Sequence, residues 1–427
     1  MTETLLDILS FLENAVWSYI GFPALMLVGI YLTFKSRFFQ IRKFPEIVKT
    51  FYDFLTEPVA EGKGVHPLQA FFASIGGCVG VGNIVSICTA VQIGGPGALF
   101  WIWITAVVGM LVKYGEVYLA MKFRVATPTG YLGGPHYYLR RVFKTLFFPN
   151  LAALLLCIYG VEIYQFSVVT HSISYNANIP LWIVTPILLG LVMYAAIGGV
   201  KRVGNISAFI IPIFVVIYIG MGSYVLFMHA DQLSSVFESV FTYAFTPHGA
   251  LGGFVGSSLL MTISQGVRRG CYTGDLGIGY ASVIHSETSV TSPEKQASLV
   301  IFEIFLDTFI ICTTSVVLIL ATGLWAQPLD ASLLVQTALA EYFPFMNFFM
   351  PFFLFILGYS TINAYFVVGL KCAEFLGPRR GKMLYLAYAA IALFVFSFVD
   401  STGAQAIMAL TGGLLLPLNA YGIYKLR

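Results

Sequence analysis

Charge is scarce in this 427-residue sequence. Asp, Glu, Lys and Arg together make up 10% of it, against 58% hydrophobic residues. Soluble domains carry about a quarter charged residues, so that class is excluded and a membrane-embedded chain is indicated. Cysteine is sparse as well. Cys78, Cys88, Cys157, Cys271, Cys312 and Cys372 are scattered, mostly within apolar runs, with no CxxC pair and no Cys/His ligand spacing. There is no HExxH, P-loop, GxSxG or nucleotide fingerprint. An ATP-driven pump and a soluble-type hydrolase fall away, and no nucleic-acid partner is indicated. Loops run to about thirty residues, too short for an independent fold, so residues 1–427 read as a single transmembrane domain.

What is present is a series of apolar runs. Eleven spans are predicted, at about 17–35, 67–92, 98–121, 149–171, 181–199, 205–228, 249–268, 297–324, 344–370, 383–399 and 404–424. The bases sit in alternate connections. Lys35, Arg37, Arg42, Lys43, Lys49 and Lys63 fall in the first, and Lys122, Arg124, Arg140, Arg141 and Lys144 in the third. Lys201 and Arg202, then Arg268, Arg269 and Lys295, then Lys371, Arg379, Arg380 and Lys382, then Lys425 and Arg427 continue the pattern. The connections near 172–180, 229–248, 325–343 and 400–403 hold none. Basic loops stay in the cytoplasm, which places the N-terminus outside and the C-terminus inside a plasma (inner) membrane. The acidic leader with Glu3, Asp7 and Glu13 agrees, and no basic n-region of a signal peptide precedes the first span.

Two spans are interrupted by glycine. Gly76, Gly77, Gly80 and Gly82 crowd the second, directly before Asn83. Glycine weakens a helix and lets backbone approach a ligand. In hydrocarbon such a break survives only where protein, water or cargo meets the freed peptide groups. Gly76 and Gly80 also have the spacing of a helix-packing face, but packing explains neither the glycine density nor Asn83. The second interrupted stretch begins at Ser264–Gln265–Gly266 in span seven and runs past two arginines to Gly279. Setting span one aside, residues 67–228 and 249–427 each form five helices opening on a broken one. An odd number per half makes the halves inverted, the layout of inverted-repeat secondary transporters. Residues 1–66 supply an extra helix and a basic loop.

The run GNIVSICTAVQIGGPGALFWIWITAVVGMLVKYGEVYLAMKFR resembles the signature region of the alanine or glycine:cation symporters. GYLGGPHYYLRR is similar to that family's GGPMYYL, and RGCYTGDLGIGYA to its RGxFSNEAGxGSA. Asp307 in FLDTFIICT and Ser360-Thr361-Ile362 in LFILGYSTI lie in family-like contexts, so the resemblance covers nearly the whole chain. It implies an all-α LeuT-type fold, a 5+5 inverted repeat after one extra N-terminal helix, importing small neutral amino acids with Na+ or H+. The chain departs from the pattern at Val81, where relatives carry threonine, and at Thr273-Gly274-Asp275-Leu276-Gly277 in place of SNEAG. It departs again at Gln265, in place of an aromatic, and at Tyr365, in place of a tryptophan.

A zwitterionic cargo needs donors for its carboxylate and acceptors for its ammonium, and half-helix ends offer both. The predicted cargo site is Gly80, Val81, Gly82 and Asn83 facing Ser264, Gln265 and Gly266, with Gln165 and Tyr365 at the sides. The resemblance implies a Na+ site from carbonyls near Gly76 and Val79, the Leu357 carbonyl, and the Ser360 and Thr361 hydroxyls. Lys113 and Glu116 are three apart and can pair on one helix. Glu162 and Asp307 are candidate proton or charge sites, because ionisable groups inside a membrane usually mark pathways. No organic cofactor is implied. The expected partners are an amino-acid substrate and membrane lipid, with oligomeric state open. A facilitator, channel or transporter-like sensor remains an alternative, though no ring-forming filter motif is present.

Overall fold

A computed structural model describes residues 3–56, 63–128, 130–196, 198–246, 258–378, 380–399 and 401–426. Long apolar runs without internal partners fold as helices, the one open-ended element that satisfies its own backbone in lipid. Those used below are α1 (Leu6–Lys35), α2 (Pro67–Cys78), α3 (Ser86–Gly94), α4 (Ala98–Lys122), α5 (Phe147–Ala177) and α6 (Leu181–Ala196). They continue with α7 (Gly199–Met228), α8 (Leu259–Gly274), α9 (Tyr280–Ser286), α10 (Pro293–Ala321), α11 (Met346–Leu376), α12 (Arg380–Phe396) and α13 (Ser401–Leu426). The only sheet among the described residues is the two-stranded hairpin of Val125–Ala126 and Tyr131–Leu132.

Seven of these helices are long and apolar enough to cross a membrane alone. Two pieces, Pro67–Cys78 and Val81–Gly94, bent by 51°, pass the same test together and make an eighth when counted as one span. The remaining expected spans meet shorter helices, α6 and α8 of 16 residues and α12 of 17. The predicted start of span seven at 249–257 lies outside the described residues, as does Arg379. The outward face is apolar: Phe209, Val216 and Phe227 of α7 are all more than two-thirds exposed, a surface that suits lipid and not water.

Local signals start and bend the helices. His66 caps α2, its Nδ1 accepting from the Leu68 N–H while Gln69 Oε1 accepts from the His66 N–H. Inside α10, Phe305–Cys312 winds as π-helix. That winding brings residues five apart onto one face, so Asp307 and Cys312 both look inward. α5 is interrupted at Gly160–Glu162, a third break that the apolar run did not announce.

The halves of the two interrupted helices do not break where glycine is merely dense. α2 ends at Cys78, and a short turn over Val81–Asn83 leads into α3. α8, by contrast, is continuous from Leu259 to Gly274 and passes straight through Ser264–Gln265–Gly266. Its interruption lies at Asp275–Gly279, where Asp275, Gly277 and Gly279 have φ of 51°, 77° and 96°. The expected break at Ser264–Gly266 is therefore corrected. One glycine flanked by good packing bends nothing, whereas repeated left-handed backbone cannot continue a helix. Arg268 and Arg269 are also helical and buried rather than loop bases. Arg268 pairs with Glu13 of α1 at 3.0 Å, which lets a charge lie inside the protein.

Candidate functional site

The break between α2 and α3 frees backbone groups, and side chains from three other helices meet them. The Val81 N–H donates to Gln165 Oε1 of α5 at 3.0 Å. The Gly80 N–H donates to Asn83 Oδ1 at 2.9 Å. Asn83 Nδ2 in turn donates to Asp307 Oδ1 of α10 at 2.6 Å and reaches Cys312 Sγ at 3.2 Å. Thr361 of α11 donates to the Gly76 carbonyl at 2.9 Å, with the Val79 carbonyl at 3.5 Å. Asn83, Gln165, Asp307 and Thr361 are all buried. Both ends of the Asn83 amide are thus engaged in holding the break, where the sequence suggested a free amide for cargo.

Glu162 stands at the head of the second half of α5. Its Oε1 accepts from the Tyr272 hydroxyl and from Gln165 Nε2 at 3.3 Å, and its Oε2 is buried without a partner. Tyr272 and Thr273 of α8 are the residues that close over Gly82: a Cβ there would come 3.3 Å and 3.4 Å from their side chains. A Cβ on Gly80 would fall 2.5 Å from both Gln165 Oε1 and Thr361 Oγ1. The tight position in the break is Gly80 rather than Gly82.

Ser264, Gln265 and Gly266 do not join this cluster. Gln265 is nine residues before the end of α8, about 14 Å along a helix. Its side chain packs on Gly94, at the far end of α3, and Gly266 packs on Ala98 and Trp101. Ser264 lines a shallow groove with Trp17, Phe22 and Leu260. Tyr272 and Thr273 take the place expected for them. Nothing in RGCYTGDLG marks Tyr272 as a site residue; its role comes from Glu162 and Gly82 across from it. Tyr365 stands at the second break, stacked on Tyr280 at 4.1 Å with its hydroxyl 3.4 Å from Asp275 Oδ1.

Beside the first break lies a cluster of neutral oxygens. The Gly76 and Val79 carbonyls meet Thr361 Oγ1, and Ser360 Oγ is 2.6 Å from Ser207 Oγ of α7. Both serine hydroxyls crowd Gly76, where a Cβ would fall within 2.5 Å of each. Leu357 is buried one turn before Thr361 on α11. Ser207 was not anticipated; a lone serine in an apolar span reads equally as helix back-bonding. Hard, uncharged donors of this kind suit a monovalent hard cation, which would replace the Thr361 O–H as the electrostatic partner of the two carbonyls.

Lys113 does not pair with Glu116. It turns instead to Glu303 of α10 at 3.4 Å, to the Gly274 carbonyl at 3.0 Å and to Cys78 Sγ at 3.0 Å. The ammonium thereby caps the last turn of α8, where the helix dipole is negative. Glu116 is buried towards Gly279 at the second break.

A cavity of about 370 Å³ is lined by Val85, Tyr164, His171, Asn176, Asp330 and Ser401, among others. Tyr164 forms part of its wall and lies edge-on to Tyr272 at 6.2 Å. The cavity faces the connections that carry no base.

The pattern of the family described as Sodium:alanine symporter family matches residues 2–427. A transporter of Haemophilus influenzae is 31% identical over 99% of this chain and 94% of its own. The sodium/alanine symporter AgcS of Methanococcus maripaludis is 29% identical over 95% and 94%, and the probable sodium/glutamine symporter GlnT of Bacillus subtilis 29% over 100% and 89%. Among solved structures, a substrate-bound, outward-open Na+-coupled sialic acid symporter superposes with a TM-score of 0.56 at 14% identity, over 96% of this chain and 87% of that one. A nucleobase-cation-symport-1 family transporter in a closed conformation gives 0.51 at 15% identity, over 81% and 75%. Both are LeuT-fold transporters, and that fold is shared here. The chain is a multi-pass membrane transporter, not an enzyme, and it belongs to the sodium:alanine symporter family.

Proposed function

We propose that this protein imports a small neutral amino acid, of the alanine, glycine and serine class, together with Na+ by alternating access. The observation that carries the reading is the break at Gly80–Asn83. There, the backbone is unwound and met by side chains from α5, α10 and α11, the arrangement that lines substrate and ion sites in secondary transporters. In this reading eleven spans form a 5+5 inverted repeat, 67–228 and 249–427, behind the extra helix of 1–66. Cargo sits between Gly80, Val81, Gly82 and Asn83 on one side and Tyr272 and Thr273 on the other, with Gln165 and Tyr365 flanking. Na+ is co-transported cargo, held by Gly76, Val79, Leu357, Ser360 and Thr361. The cavity under Asp330 is the outer vestibule, with the N-terminus outside and the C-terminus cytoplasmic.

One observation favours a second reading. Glu162 keeps Oε2 buried and unpartnered beside the break, which is where a coupling proton or the cargo's amino group would go. Asp307, bonded to Asn83, is the other candidate for that charge. Uptake of a panel of labelled amino acids into proteoliposomes separates the two. With Na+ coupling, a sodium gradient drives uptake and Thr361→Ala raises the sodium needed for half-maximal rate several-fold. If uptake instead follows a pH gradient, is indifferent to sodium and is lost in Glu162→Gln, proton coupling through Glu162 replaces it.

A further inference from the structure

Glu303, fully buried on α10, gathers donors from three other helices. Its Oε2 accepts from Ser74 Oγ of α2 at 2.9 Å and lies 3.4 Å from Lys113 Nζ of α4. Its Oε1 is 2.8 Å from His285 Nε2 of α9. Gln296 Nε2 reaches His285 Nδ1 at 2.7 Å and the Pro67 carbonyl at 3.4 Å. As donor to both, it leaves the ring proton on Nε2, aimed at Glu303. One carboxylate therefore ties the α2 half of the first broken helix to the α9 half of the second.

The backbone joins the same two halves nearby. The Val65 N–H donates to the Glu287 carbonyl at 2.9 Å, and the Ser289 N–H to the Val65 carbonyl at 2.8 Å. Arg124 donates to the carbonyls of Ser286, Thr288 and Val290. The opposite halves, α3 and the start of α8, are joined differently. Thr262 donates to the Gly94 carbonyl at 2.7 Å, and Gln405 links Arg269 at 3.1 Å to Ser86 at 3.2 Å. The cavity opens on that side. The end that carries Glu303 is shut, and the cavity lies at the other end.

We propose that Glu303 is the latch of the closed end: it positions α2 and α9 against each other and so sets which side of the transporter opens. The inference rests on the alternating-access reading. Glu303 touches no cargo. It acts because a buried carboxylate is stable only while all its donors surround it, so both half-helices must leave together, when water enters to replace them. Removing its charge, or one donor, weakens the closed end alone.

The test uses the purified full-length protein in detergent, which makes orientation in a membrane irrelevant. The six native cysteines are buried. Ser289→Cys reports on the latch end and Ser332→Cys on the cavity rim. Each is combined with Glu303→Gln and with Ser74→Ala, and maleimide labelling rates are compared. The expected result is labelling at position 289 faster by about ten-fold in Glu303→Gln, the worth of about one charge-assisted hydrogen bond. A smaller rise is expected in Ser74→Ala, with no rise at position 332 in either. Unchanged labelling at 289, or equal rises at both positions, overturns the latch. Should Glu303→Gln fail to fold, the Ser74→Ala pair decides on the same criteria. The readout needs no transport, so absent sodium coupling would refute the transport reading and leave this result standing.

Discussion

The two broken helices are broken by different means. Between α2 and α3 the backbone keeps ordinary angles, Gly80 being extended at φ −139°, and the gap is held by Gln165, Asn83, Asp307 and Thr361. Between α8 and α9 the chain does the work itself. Asp275, Gly277 and Gly279 take left-handed angles, and Asp275 Oδ2 accepts from the Ala281 N–H at 3.2 Å, capping the next helix. The first break depends on distant residues and can loosen when they move. The second takes its shape from a few consecutive residues, and distant groups only brace it: Lys113 of α4 caps Gly274, Asn419 of α13 donates to the Gly277 carbonyl at 3.0 Å, and the Tyr365 hydroxyl lies 3.4 Å from Asp275 Oδ1. A cargo site is expected where the backbone is held open by groups that a ligand can relieve, which is the first break.

Gly80→Ala is the strongest test of that contrast. Its Cβ would displace both Gln165 and Thr361, so uptake should fall to background and stability by about 1–3 kcal/mol, the usual cost of overpacking. Gly82→Ala, with only 3.3 Å contacts to make, should retain binding. A larger loss in Gly82→Ala would invert the assignment. Gln165→Leu should follow. It strands the buried Val81 N–H at a cost of about 1–3 kcal/mol, read as cargo affinity falling ten-fold or more in equilibrium binding with the fold kept. Unaltered affinity there would mean that the break needs no outside support.

Gly279→Ala probes the other kind of break. The positive φ costs a Cβ-bearing residue about 1–2 kcal/mol, and the Cβ would also fall 2.4 Å from Pro135. Thermal melting should drop by several degrees, while cargo affinity in the protein that remains folded stays near normal. Ser264→Ala should do least. It lies on the unbroken part of α8, and both melting and binding should stay within about 0.5 kcal/mol of the unmutated protein. A loss of affinity there would return the cargo site to the outer stretch of α8.

Much of this was legible in one dimension. Glycine density and Asn83 located the first break, and the apolar runs located most of the helices. The sequence puts the second break too early, because Gly266 has the look of an interruption. Against Ala98 and Trp101 it is a close-packing glycine, and packing and breaking glycines look alike until a neighbour is known. Lys113 and Glu116 failed as a pair for a similar reason. Three-residue spacing makes contact available, but Glu303 and the Gly274 carbonyl offered the ammonium a better-satisfied place. Ser207, Tyr272 and His285 gain meaning only from what lies across from them.

The sequence by itself determined that this chain is a multi-pass helical membrane protein, which family it belongs to, and roughly where its helices start and break. Those properties follow from composition, period and local backbone preference, which act over a few residues. Tertiary structure alone decided which groups hold the first break open, where the buried charges pair and which end of the molecule is shut. In a low-dielectric interior each polar group must find a partner within about 3 Å. For Asn83, Lys113 and Glu303 that partner is more than 160 residues away, at distances no local pattern records.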